Sequence, residues 1–118
     1  SQIDSVEFAA SQFGTRLVVV LGHTNCGAVK ATLEAVKNQG ESESPIINFI
    51  KPSVEKIIQE EPEIKKEELV KKATKANILE SVNHIKNGSE TLKALSEKED
   101  LLVVGAEYCI GTGEVEFL

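Results

Sequence analysis

Methionine and tryptophan are absent from the 118 residues, and histidine and cysteine occur only twice each. Because a chain without methionine that begins at Ser1 is not an unprocessed translation product, we expect that an upstream portion is missing. Two cysteines cannot build the disulfide framework of small secreted domains, so reduced thiols are expected. The same scarcity limits the soft and imidazole metal ligands to four candidates: His23, Cys26, His84 and Cys109.

Long apolar runs and an excess of positive charge are also missing. Apolar runs such as residues 17–21 and 101–104 are far too short to span a bilayer, and no charged and then apolar signal segment opens the chain. A formal net charge of -6 argues against a nucleic-acid partner, because such binding depends on clustered Lys and Arg. We therefore expect a soluble, cytoplasmic protein without a membrane or nucleic-acid partner.

Helical and strand-like segments alternate along what we expect to be one domain, residues 1–118. Residues 16–21 form a β-branched apolar run without polar alternation, which predicts a central strand buried on both faces of a parallel sheet. The other predicted elements are helices over residues 1–13, 28–36, 46–59, 67–86 and 89–95, the last capped by Ser89, and a second buried strand over residues 101–106.

The pattern also contains a loop between two helices and a final strand. Residues 38–44 contain no apolar side chain and predict a solvated loop. Near the C-terminus a Gly-rich turn precedes alternating Val115 and Phe117, which predicts an antiparallel or edge strand. The expected fold class is α/β, with a mainly parallel sheet flanked by helices and an antiparallel edge strand.

His23 and Cys26 occupy a short loop between a predicted strand and a predicted helix. Ligands bind beyond the carboxyl ends of parallel strands, and imidazole and thiolate both suit Zn²⁺. A His-x-x-Cys pair alone is a weak signal, because a capping His and a buried Cys give the same pattern. We expect His84 to be a surface or helix-packing residue and Cys109 to be a small buried hydrophobe. A thiol redox role for Cys26 has little support without a Cys-x-x-Cys pair.

The sequence around this loop, LVVVLGHTNCGAV over residues 17–29, closely resembles the second zinc motif of β-carbonic anhydrases. Four further segments are similar to bacterial members: SVEFAA at residues 5–10, ANI at 76–78, LVVGAEY at 102–108 and TGEV at 112–115. Essentially the whole chain is covered by the resemblance.

The resemblance implies Zn²⁺ held by two Cys and one His, and reversible hydration of CO₂ to bicarbonate by a zinc-bound hydroxide. His23 and Cys26 match two of the metal ligands, and no residue matches the catalytic Asp/Arg pair, which belongs to an upstream Cys-x-Asp-x-Arg motif. The chain is therefore expected to be N-terminally incomplete and inactive by itself. The alternative is a non-catalytic zinc-binding or dimerisation module.

Two further residues are placed by the resemblance in the substrate pocket. Phe8 lies where relatives carry an aromatic that lines the CO₂ pocket, often across a dimer interface, and the Gly27 amide is expected near the metal. Phe8 is equally well explained as a core residue, and Gly27 as a residue that permits the tight turn. A homodimer or higher homo-oligomer is also implied.

Overall fold

Five helices and three strands make up the described residues, 2–41 and 44–118, of the computed structural model. The helices are α1 (Gln2–Phe13), α2 (Gly27–Lys37), α3 (Pro45–Glu60), α4 (Lys66–Lys86) and α5 (Glu90–Glu97), and the strands are β1 (Leu17–His23), β2 (Leu102–Tyr108) and β3 (Val115–Phe117). Ser1, in the predicted first helix, and Ser42 and Glu43, in the predicted loop, lie outside the described residues.

The sheet has the strand order β1-β2-β3 within the described residues. β1 and β2 pair in parallel from Leu17↔Leu102 to His23↔Tyr108. β2 and β3 pair antiparallel, with Tyr108 opposite Val115. The predicted α/β class and the antiparallel edge strand near the C-terminus are therefore confirmed.

The prediction for β1 is wrong in two respects. The strand lies at one edge of the described sheet, whereas β2 occupies the centre. It is also not buried on both faces, because Leu17, Val19 and Leu21 are 55%, 40% and 57% exposed. A run of β-branched residues predicts a strand but does not reveal how many of its faces and edges find neighbours. Both β1 and β2 also run two residues further than predicted, to His23 and Tyr108.

Helix α4 covers the face of the sheet opposite to the exposed side chains of Leu17, Val19 and Leu21. Two glycines permit its close approach. A Cβ atom placed on Gly22 would lie 2.5 Å from Ile78 Cδ1, and one on Gly105 would lie 2.7 Å from Ile78 Cγ2. Since real Cβ atoms do not approach other heavy atoms so closely, any larger residue at these two positions would require Ile78 to shift. The helix therefore sits directly against β1 and β2.

Two clusters of buried side chains lie among the helices and the covered face of the sheet. One joins Ala10, Val82, Leu92, Leu101 and Val103, which come from α1, α4, α5, the residue before β2 and β2 itself. The other joins Val29, Leu33, Ile50, Val54 and Ala73, which come from α2, α3 and α4. Burial of these side chains provides the main driving force for folding.

Two local predictions concern the helices. The Ser89 side chain accepts a hydrogen bond from the Leu92 amide at 3.1 Å, which confirms the predicted cap of α5. No helix of the described residues combines the length and the apolar character that crossing a bilayer requires.

Candidate metal centre

The loop with the sequence His-Thr-Asn-Cys connects the carboxyl end of β1 to the start of α2. His23 is the last residue of the strand, and Cys26 is the N-cap residue of the helix. Between them Asn25 has φ of 57°, in the left-handed region that Asn adopts more readily than most residues. This reversal brings the chain from strand to helix in three residues, so His23 and Cys26 lie at the two ends of one tight turn.

The imidazole of His23 is exposed and has a defined tautomer. Its Nδ1 atom lies 2.8 Å from the backbone oxygen of Thr24. A carbonyl oxygen can only accept, so Nδ1 carries the proton and donates it. The lone pair is then on Nε2, which is the form in which a neutral imidazole binds a metal, with a second partner holding its other nitrogen.

Thr24 ties this loop to the end of β2. Its amide donates to the Tyr108 oxygen at 2.9 Å, which continues the β1–β2 ladder by one bond. Its hydroxyl oxygen accepts from the Ile110 amide at 3.1 Å. The residue whose carbonyl accepts the hydrogen bond from His23 is thus itself held at two points, by the last residue of β2 and by the turn that follows the strand.

Cys26 presents its thiol at the beginning of α2. The side chain makes no capping hydrogen bond at the described helix end, and it is half-buried against the cluster of α2, α3 and α4. The free amides and partial positive charge of a helix N-terminus stabilise a thiolate, which is the metal-binding form of Cys. Sulfur and imidazole nitrogen are both donors that zinc accepts.

The donor set is nevertheless short of a complete site. Residues 2–41 and 44–118 contain no group of three or more His, Cys, Asp and Glu side chains that could hold a metal ion. His84 does not join His23, because its ring packs edge-on against Phe49 on α3, with ring centroids 5.5 Å apart. As predicted, His84 is an exposed helix-packing residue. His23 and Cys26 fit zinc as two of its ligands.

Cys109 differs from its prediction as a small buried hydrophobe, because it is only half-buried and its sulfur lies among hydrogen-bond donors. Hydrogen bonds from the Thr112 hydroxyl, the Thr112 and Gly111 amides and the Thr24 hydroxyl lower the pKa of the Cys109 thiol. The turn itself is closed by the Gly113 amide, which donates to the Cys109 oxygen at 2.8 Å. A residue that follows a strand is thus placed in a polar turn rather than in the core.

A shallow cavity of about 370 Å³ adjoins His23 and is lined by Leu21, Gly22, His23, Tyr108 and Ile110. Neither Phe8 nor Gly27 lines it. Phe8 is exposed on α1 and packs edge-on against Phe13, with ring centroids 5.6 Å apart. Gly27 begins α2, and a Cβ there would meet no atom within 4 Å. The predicted pocket roles of Phe8 and Gly27 remain predictions.

The contacts that Thr24 makes at the site could not be anticipated from the sequence. No local pattern points to them, because its side-chain partner Ile110 is 86 positions away along the chain. The in-register pairing of His23 with Tyr108 brings the two strand ends together. That pairing was signalled only in part, by two apolar runs that each precede a polar or glycine-rich loop.

Comparisons with known proteins agree with this loop and fold. A carbonic anhydrase family model matches residues 1–115. A carbonic anhydrase from Mycolicibacterium smegmatis is 44% identical over 55 residues, which are 47% of this chain and 25% of that protein.

Solved structures show the same fold. The β-carbonic anhydrase CafA of Aspergillus fumigatus superposes with a TM-score of 0.80 at 27% identity, covering 98% of this chain and 54% of that one. One of two tetrameric β-carbonic anhydrases from Sordaria macrospora gives a TM-score of 0.71 at 16% identity, covering 99% and 59%. The chain thus spans little more than half of these structures and a quarter of the curated relative. Matched by the family model over nearly all of its length, the chain belongs to the β-carbonic anhydrase family.

Proposed function

We propose that the protein to which this chain belongs is a zinc-dependent carbonic anhydrase that interconverts CO₂ and bicarbonate. The observation that carries the proposal is the His23 tautomer: the Thr24 carbonyl holds Nδ1–H, so Nε2 is available as a metal ligand beside the helix-capping thiol of Cys26. Membership of the family supports the reaction, and the chemistry of the two donors supports the metal.

Each residue of the loop has a separate task in this proposal. When bound, zinc supplies the Lewis acidity that makes water a nucleophile near neutral pH. His23 and Cys26 hold and orient the metal, and Asn25 permits the turn between them. The Gly27 amide and the Phe8 ring are proposed to line the substrate pocket, where CO₂ binds and bicarbonate leaves.

Two protein ligands are fewer than zinc sites use, since a catalytic zinc generally takes three from the protein and keeps one position open. We propose that the remaining ligand, and the Asp/Arg pair that acts on the nucleophile, come from residues outside these 118 positions. Self-association into a homo-oligomer is part of the same proposal. The free thiols of Cys26 and Cys109 suit a reducing compartment, and we place the protein in the cytoplasm.

The test compares zinc content and CO₂ hydration in matched variants of the full-length protein. We expect His23→Gln and Cys26→Ser to lower zinc stoichiometry and to abolish hydration in a stopped-flow assay. His84→Gln and Cys109→Ser are the controls, because they remove the same kinds of side chain and leave both loop ligands in place. Serine at position 109 also keeps an acceptor for the Thr24 hydroxyl. Both controls should retain zinc. Equal zinc content in all four variants would refute the assignment of the ligands.

The non-catalytic alternative is favoured by the two-donor set within the described residues. The 118 residues by themselves are expected to show little or no hydration. Robust zinc-dependent turnover by this polypeptide would overturn that expectation. Full-length protein that binds zinc through His23 and Cys26 but hydrates no CO₂ would establish a binding or assembly module instead.

A further inference from the structure

We propose that Thr24 is a positioning residue for His23: anchored to the end of β2 by two hydrogen bonds, it holds its own carbonyl where that oxygen accepts the His23 Nδ1 proton. The geometry depends only on contacts within this chain. Its consequence, control of the direction in which Nε2 faces a metal, rests on the proposed function.

Thr24 is anchored both to the last residue of β2 and to the turn that follows it. Its amide bonds to the Tyr108 oxygen at 2.9 Å, and its hydroxyl oxygen accepts from the Ile110 amide at 3.1 Å. The hydroxyl also donates to the Cys109 sulfur. The amide bond holds the peptide that precedes the Thr24 Cα atom, and the hydroxyl bond holds the side chain. The Cα atom from which the Thr24 carbonyl extends is therefore held from two directions.

One hydrogen bond is the described constraint on the His23 ring. The imidazole is exposed, so packing does not determine its orientation, and the 2.8 Å bond to the Thr24 oxygen fixes both the tautomer and the ring plane. Partners of this kind behind a metal-binding His typically change metal affinity by about 10–100-fold. Thr24 would act through His23, without touching metal or substrate.

Two variants distinguish the contribution of the Thr24 hydroxyl from that of its backbone amide. Thr24→Val keeps the β-branched shape and the amide bond to Tyr108 and removes only the hydroxyl. Thr24→Ser restores the hydroxyl with one methyl group fewer. The two variants therefore distinguish loss of the anchor from a change of volume, and Thr24→Ser is the rescue.

The experiment begins with nitrogen NMR of the histidine rings in the metal-free protein. The 118 residues contain two histidines, and the signals that disappear in His23→Gln identify those of His23 directly. We expect wild type and Thr24→Ser to show the Nδ1–H tautomer of His23 and a protected Ile110 amide. Thr24→Val should show mixed tautomers and faster exchange of that amide. A wild-type His23 in the Nε2–H form would overturn the proposal even if Thr24→Val failed to fold.

Zinc affinity, measured by competition with a chromogenic chelator, is the second readout. We expect Thr24→Val to bind zinc about 10–100-fold more weakly and Thr24→Ser to bind close to wild type. An unchanged tautomer and an unchanged affinity in folded Thr24→Val would refute the positioning role. If the protein binds no zinc while Thr24→Val still disturbs the tautomer, the proposed function fails and the positioning role of Thr24 stands.

Discussion

The two faces of the sheet have the same apolar character and very different surroundings. On one face Val18, Val20 and Val103 belong to or pack against a buried cluster with α1, α4 and α5. On the other, the side chains of β1 and β3 remain exposed: Leu17, Val19, Leu21, Val115 and Phe117. Neighbouring residues of one strand thus differ in burial because a helix lies over only one of the two faces.

The difference shows that an apolar sequence predicts which side chains favour burial and does not show whether another element covers them. Monomeric soluble proteins rarely leave large contiguous apolar patches exposed, and such patches mark interaction surfaces. The chain spans only part of the length of its structural relatives. Substitutions on the exposed face should therefore change the free energy of unfolding least, because few described contacts involve it. Substitutions on the face covered by helices should change it most.

The largest expected effect tests the helical side with one substitution at two positions of α3. Ile50 is 1% exposed, whereas Ile46 is 56% exposed. We expect Ile50→Ala to lower the free energy of unfolding by about 2–5 kcal/mol, because it leaves a cavity. Ile46→Ala should change it by less than about 0.5 kcal/mol. Urea denaturation followed by circular dichroism measures both, and equal losses would contradict the assigned packing of α3.

The next effect tests how closely α4 approaches the sheet. Gly22→Ala places a Cβ where Ile78 already lies, so we expect a loss of about 1–3 kcal/mol in the free energy of unfolding from overpacking. Ile78→Val in the same chain should recover part of the loss, because it removes Cδ1, one of the two Ile78 atoms that lie 2.5 Å from the added Cβ. Gly111→Ala is the control, since a Cβ there meets no atom within 4 Å. A double-mutant cycle with no coupling would exclude the contact.

A smaller effect compares two adjacent residues of β1 that face opposite ways. Val20 packs against the buried cluster, whereas Leu21 is exposed. We expect Leu21→Gln to change the free energy of unfolding by less than about 0.5 kcal/mol and to reduce binding of a hydrophobic dye. Val20→Gln should destabilise clearly more, because it buries an amide without a partner. The reverse order would show that the open face is covered in solution.

The smallest effect concerns the Cys109 thiol, whose environment is polar turn rather than core. Hydrogen bonds, first that from Thr112, lower its pKa, so the folded protein holds more thiolate near neutral pH than the unfolded chain does. The pH profile of iodoacetamide labelling at Cys109 should therefore lie at lower pH in buffer than in urea. Mass spectrometry of the labelled peptides separates Cys109 from Cys26.

Thr112→Val is the matched variant for this measurement. Removal of its hydroxyl should move the Cys109 profile back towards the profile of the unfolded chain. Identical profiles for wild type and variant in both solvents would show that the turn does not stabilise the thiolate.

Most of the fold could be predicted from local patterns. Apolar spacing and capping residues predict the helices, as Ser89 does for α5. The bounds of the helices fall within one or two residues of the prediction. The loop of His23 and Cys26 could be predicted because a strand and a glycine directly precede a His and a Cys, two residue types that can bind metals. These features are encoded within a few positions of one another.

The rest depends on contacts between distant positions. Whether β1 is an edge or a central strand depends on the strands that pair with it. A β-branched run looks the same in an edge strand and in a central strand. The role of Thr24 depends on Tyr108 and Ile110, and the polar setting of Cys109 depends on the turn at Thr112. Tertiary geometry decides all three, so propensity and periodicity could not have revealed them.

The contact of Ile78 with Gly22 and Gly105 has a consequence for long-range sensitivity. One aliphatic side chain sets the spacing between α4 and two strands, and Gly22 immediately precedes His23. A substitution that moves α4 relative to β1 is therefore expected to displace Gly22, and with it the adjacent His23, although no polar contact joins Ile78 to that residue. A mutational scan confined to charged and polar residues would overlook this position.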